Sequence, residues 1–239
     1  MLFRLDFRIM LEGAEEFWWE WASVQKAAHQ IADPKITAEL ADKSRMLGII
    51  GNMAGREDEA EKMLRMACNE YQRLRDCNPP SSEVAQAASV TLNELGEFYS
   101  KRSYPDDLAK ALNCFQACRD ILKEMLGTNL ECPETASNFV GAIASVSRTH
   151  ALLGDFATAF EELKPGVEMA RLSWNKHDNA KMGQKLVALL LLSFQHAWSA
   201  GNIEEAVLSR VECRSVFDTL KQQGVALEPG LESLCQRLH

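Results

Sequence analysis

A small set of residues recurs along this 239-residue chain: Leu47-Gly48 followed by Gly55 and Ala60, Leu95-Gly96 followed by Ala111, Gly154 followed by Ala159, and Gly201 followed by Ala206. Recurrence at a fixed period of about 50 residues means that one supersecondary unit is repeated, each copy burying its apolar side on its neighbours. The core of a repeat array is a seam shared between units, so the length counts repeats and the chain reads as one domain, 1–239.

Around each glycine, apolar residues return at three- and four-residue steps, which makes each unit two antiparallel helices joined by a short turn. Ile36 to Met53 is the first helix of one unit, Gly55-Arg56 its turn, and Glu57 to Arg75 the second helix. Pro79-Pro80 ends it, because proline removes a donor and fixes a backbone angle the helix cannot continue through. The next unit runs from Glu83 to Leu126, with Pro105 suited to the first position of its second helix, and Gly127 to Pro133 connects onward. A third unit spans Glu134 to Trp174, where Asp155 suits an N-cap, and a fourth spans Lys181 to Gln223, where Asn202 with Glu205 has the spacing of a capping box. The expected divisions are a partial unit at 1–34, repeats at 35–80, 81–130, 131–178 and 179–223, and a capping helix in 224–239 after Pro229-Gly230.

Charge and composition narrow the function. With 26 Lys+Arg against 34 Asp+Glu the formal charge is -8, which repels phosphate backbones, and no basic run with interleaved aromatics offsets it. No nucleic acid partner is expected. The longest apolar run, Leu186 to Phe194, is about half of a bilayer span, and the first eight residues interleave charge with apolar side chains as no export signal does. Seven cysteines without C-x-x-C pairs point to a reducing compartment, so the expected location is cytoplasmic and the expected membrane association none.

Enzyme signatures are missing too: there is no G-x-x-x-x-G-K-[ST] loop, G-x-S-x-G elbow or G-x-G-x-x-G turn. Cys114 and Cys118 share a helix face, but no histidine of that helix completes a four-ligand set, and the five histidines are scattered. No catalysis, cofactor or metal is expected.

Taken together, Leu-Gly in the first helix, a glycine turn, the early alanines Ala60, Ala111, Ala159 and Ala206, and the later small residues Ala67, Cys118, Gly166 and Cys213 resemble the tetratricopeptide repeat (TPR) family. The large apolar position between them is Leu64, Phe115 and Leu163, with Arg210 departing in the fourth unit. Spacing departs as well: Gly48 to Gly96 is 48 residues, Gly96 to Ser147 is 51 and Ser147 to Phe194 is 47, against 34 in the family. Such a long period is similar to TPR arrays of large bacterial signalling proteins. The resemblance covers about residues 36–220. It implies an all-α, right-handed superhelix of helix hairpins whose concave groove, lined by the first helices, holds a protein or peptide.

Carried over by register, the groove positions are Asp42, Arg45, Ile49 and Asn52, then Asn93, Glu97 and Lys101, then Ala144 and Arg148, then Leu191, Gln195 and Trp198. Each is also readable as part of a solvated polar face. Ile49 stands where a carboxylate-clamp motif takes asparagine, so the resemblance does not imply that clamp. Near the N-terminus Phe17, Trp21, Val24, Ala28 and Ile31 share one helical stripe bordered by Trp18, whereas Trp19 points away and is a candidate partner contact, or packs on a preceding unit or the chain's own terminus. Leu186 to Phe194 suits a helix buried between neighbours or against another subunit, and a homodimer, if one forms, is expected through it or the C-terminal cap. The expected function is a protein-interaction scaffold in the cytoplasm. The alternative is a ligand- or peptide-responsive regulatory module of a larger signalling protein.

Overall fold

The computed structural model describes residues 21–24, 33–77, 81–102, 104–128, 132–177 and 179–237. Residues 21–24 are helical, and nine further helices follow among the described residues. They are α1 (Pro34–Met53), α2 (Glu57–Cys77), α3 (Ser82–Arg102), α4 (Pro105–Thr128), α5 (Pro133–Leu152), α6 (Phe156–His177), α7 (Ala180–Ser199), α8 (Ile203–Gln222) and α9 (Pro229–Gln236). The chain divides after Arg102 into two compact units, the first ending with α3 and the second holding α4 to α9.

One local device reverses the chain again and again. Gly55, Gly154, Gly201 and Gly224 all have φ between 73 and 85, the left-handed region in which a side chain would be strained. At the end of α1 the Gly55 amide donates to the Asn52 carbonyl at 3.1 Å and the Arg56 amide to the Gly51 carbonyl at 2.8 Å, the paired bonds of a Schellman stop. The pattern repeats at Gly154 with Asp155, at Gly201 with Asn202 and at Gly224 with Val225. Helix starts are less uniform. Asp33 caps α1 through its side chain, and the Thr158 amide bonds the Asp155 carboxylate at 3.0 Å, as expected of that aspartate. Asn202 makes no side-chain cap, so the capping box read there is not formed. Helix α4 runs on through Gly127 to Thr128, and α9 starts on Pro229 itself.

The recurrent small residues are where helices cross. Ala60, Ala111, Ala159 and Ala206 are each 0% exposed. In the first unit a methyl on Gly48 would lie 2.6 Å from Leu64 Cγ, so α1 and α2 meet at a distance only glycine permits. In the second unit Gly166 of α6 meets Ile143 of α5 in the same way at 2.8 Å, and Gly183 of α7 meets Leu220 of α8 at 2.8 Å. Where the first-helix glycine is replaced by Ser147, the buried hydroxyl donates to the Ala159 carbonyl at 2.6 Å, which satisfies it without water.

Helix α7 touches α5, α6 and α8, which explains its nearly continuous apolar sequence. Leu186 and Val187 are 0% exposed, Leu189 1%, Leu190 2% and Leu191 5%. Burying each such side chain stabilises the unit by about 1.5–3 kcal/mol. The stretch is therefore filled from inside its own unit. Ion pairs tie successive second helices: Arg119 of α4 reaches Glu162 of α6 at 2.7 Å, and Arg171 of α6 forks onto Glu212 of α8 at 2.8 and 2.9 Å.

Candidate peptide-binding face

In the first unit the first helices are α1 and α3, and their polar positions are occupied by one another. Arg45 of α1 bonds Glu94 of α3 at 2.9 Å and lies 3.9 Å from the Asp42 carboxylate. Asp42 also accepts the Tyr71 hydroxyl at 2.6 Å. Burial, and then the bond to Asp42, raises the Tyr71 pKa, so the phenol stays a donor. Burial raises Glu94 too, and Arg45 opposes the rise. Asn93 donates to Glu97 at 3.0 Å along α3. Ile49 and Asn52 are half-buried, and Glu97 and Lys101 are exposed. Asp42, Arg45, Asn93 and Glu97 thus sit in hydrogen-bonded networks that stiffen the face.

The second unit differs. Its first helices α5 and α7 lie side by side, joined where the Lys185 ammonium donates to the Ser137 carbonyl at 2.6 Å. That contact links the early residues of both helices, so they run parallel and their C-terminal ends fall at the same edge. Burial, with Lys181 nearby, lowers the Lys185 pKa. At the far edge α5 presents the exposed Arg148 and Leu152, and α7 presents Gln195 and Trp198. Leu152 is 59% exposed and Trp198 57%, and the Trp198 ring stands 6.2 Å from Phe194. Ala144 is half-buried, and Leu191 lies in the core.

Arg148, Gln195 and Trp198 are exposed toward the C-terminal ends of α5 and α7, and the register reading did not include Leu152 or Lys185. The signal for Leu152 was present as an apolar pair directly before Gly154, where a turn ordinarily carries polar residues. Trp21 donates its indole N–H to Ser44 at 2.8 Å, in keeping with the core stripe. Trp19, like Phe17, Trp18, Ala28 and Ile31, lies outside the described residues. Among the described residues no helix is long and apolar enough to cross a membrane, no acidic, cysteine and histidine cluster suits a metal, and no disulfide joins the cysteines.

Structural similarity decides the fold. A Podosopora anserina protein described as a putative kinesin light chain with nearly identical TPR-like repeats superposes with a TM-score of 0.55 at 15% identity, over 91% of this chain and 97% of that one. The fold is that of TPR-like helical repeats. A single-substitution form of the same Podosopora anserina protein gives 0.55 at 15% identity over 91% and 96%. BtubC (BKLC) from P. vanneervenii aligns at 12% identity over 92% and 94%, with a TM-score of 0.48. No family model matches the sequence, and no curated protein matches it. Within this TPR-like fold the C-terminal ends of α5 and α7 expose an aromatic ring, an aliphatic side chain and a guanidinium, at Trp198, Leu152 and Arg148.

Proposed function

We propose that this chain is a non-catalytic protein-interaction scaffold that holds a peptide or a partner domain along the first helices of its hairpins. The observation that carries this reading is Trp198: a tryptophan 57% exposed on the C-terminal end of α7, with Gln195 beside it and Arg148 and Leu152 on the parallel helix α5. Tryptophan and arginine dominate binding energies at interfaces, and a large exposed ring costs a folded chain solubility unless something covers it. Taken by itself, the first unit offers Asp42, Arg45, Ile49, Asn52, Asn93, Glu97 and Lys101 as a polar face of its own, and Ala144 is the small half-buried position of α5.

A displayed random-peptide library selected on the whole chain tests the reading. Peptides with an apolar anchor and an acidic residue should be enriched, and Trp198→Ala should weaken the selected peptides about tenfold or more, as loss of a hot spot does. The melting temperature should barely move, since the ring is already in water. Enrichment of nothing, or of peptides indifferent to Trp198→Ala and Arg148→Ala, would sink the proposal.

A further inference from the structure

Cys213 of α8 and Cys235 of α9 are free thiols brought together from two different helices. Both residues are 0% exposed, and their side chains are hydrogen-bonded to each other. The Cys213 thiol also donates to the Val187 carbonyl of α7 at 3.8 Å. The pair therefore sits where α7, α8 and α9 meet.

Helix α9 is eight residues long, and Cys235 is its one buried residue. Leu234, directly before it, is 45% exposed. The helix thus turns its cysteine inward and leaves a leucine in water, although a leucine buries far more apolar surface and would be the stronger hydrophobic anchor. A second tether lies in the segment before α9, where Gln184 of α7 donates to the Ala226 carbonyl at 2.6 Å. Cys114 and Cys118 make an instructive contrast. They stand one turn apart on α4, a spacing that holds Cβ atoms about 5–6 Å apart, whereas a disulfide needs about 3.5–4.5 Å. Cys213 and Cys235 belong to separate helices and are under no such constraint, so a small shift of α9 brings their sulfurs to bonding distance.

We infer that Cys213 and Cys235 form a redox latch, in which a disulfide between them pins α9 onto α8 and its reduction releases the helix. The oxidant is a low-molecular-weight disulfide of the glutathione class. Burial holds both thiols above their ordinary range, so they react when α9 lifts, and Arg214 then favours the Cys235 thiolate. That thiolate attacks one sulfur of the oxidant and expels a first thiolate. The Cys213 sulfur next attacks the Cys235 sulfur of the mixed disulfide and expels the second. One S–S bond breaks and one forms, the two cysteine protons end on the two expelled thiols, and the oxidant takes up the two electrons. The latch works whether or not a peptide is bound.

Incubating the full chain in glutathione buffers of rising disulfide fraction, then mapping its cysteines by peptide mass spectrometry, tests the inference. The wild type should yield an internal link between Cys213 and Cys235 at disulfide fractions that leave the other cysteines reduced or merely glutathionylated. Amide exchange across α9 should then slow by about tenfold or more, because the bond closes a loop that the reduced chain leaves free, and dithiothreitol should restore the original rate. Cys213→Ser should stop at the glutathione adduct of Cys235. A wild type in which both cysteines stay reduced while others are modified, or a link that leaves exchange across α9 unchanged, overturns the inference.

Discussion

At the scale of single residues the glycines divide by what surrounds them. Replacing a helical glycine by alanine ordinarily stabilises by about 0.5–1 kcal/mol, through the entropy of the unfolded chain. Gly127, inside α4 with nothing within 4 Å of an added methyl, should follow that rule. Gly166 should reverse it, because the methyl would meet the fully buried Ile143 at 2.8 Å and overpacking costs about 1–3 kcal/mol. Urea unfolding of the two alanine variants should move the midpoint in opposite directions. His196 supplies a second residue-scale expectation. The residue is 6% exposed, its Nε2 is buried without a hydrogen-bond partner, and burial holds its pKa below the ordinary 6.5. The unfolded chain therefore takes the proton first. The contribution of His196 is intact above about pH 6.5, falls as the pH drops below that value, and levels off once the folded imidazole is also protonated. Comparing the urea midpoints of wild type and His196→Gln at about pH 8 and pH 5.5 isolates it: the wild type should lose more on acidification.

At the scale of elements, the readable parts were those with local causes. Gly55, Gly154 and Gly201 announce turns because only glycine takes their backbone angle cheaply, and the buried alanines mark crossings because nothing larger fits. Helix ends set by less local causes were not readable: Gly127 stays helical, and Asn202 leaves its cap to the backbone. The candidate site was readable to the extent that register fixes direction. Arg148, Gln195 and Trp198 are exposed, as a groove position requires, whereas Leu191, read from the same register, is enclosed within its own unit. Facing in an ideal hairpin says nothing of how closely neighbours approach. Arg45 was read as a groove position, and its bond to Glu94 of α3 could not be seen because the two are 49 residues apart.

At the scale of the whole molecule, stacked hairpins hold mainly their sequence neighbours, so stability is distributed along the chain. Leu220 of α8 is fully buried against α7, and Leu220→Ala should cost about 2–5 kcal/mol. Its effect on amide hydrogen exchange should be greatest in α7 and α8 and fade toward α5. An equal loss of protection from α4 to α8 would instead mean that the second unit opens as one block. The described helices fall into two compact units, the first ending with α3 and the second beginning with α4. The four glycine stops have a consequence for how such proteins vary in size. Each corner is specified by a handful of consecutive residues and is indifferent to how many helical turns lead into it. Arm length can therefore drift while the bend survives, which is how a chain can stretch its repeat well past the familiar span and still double back on cue.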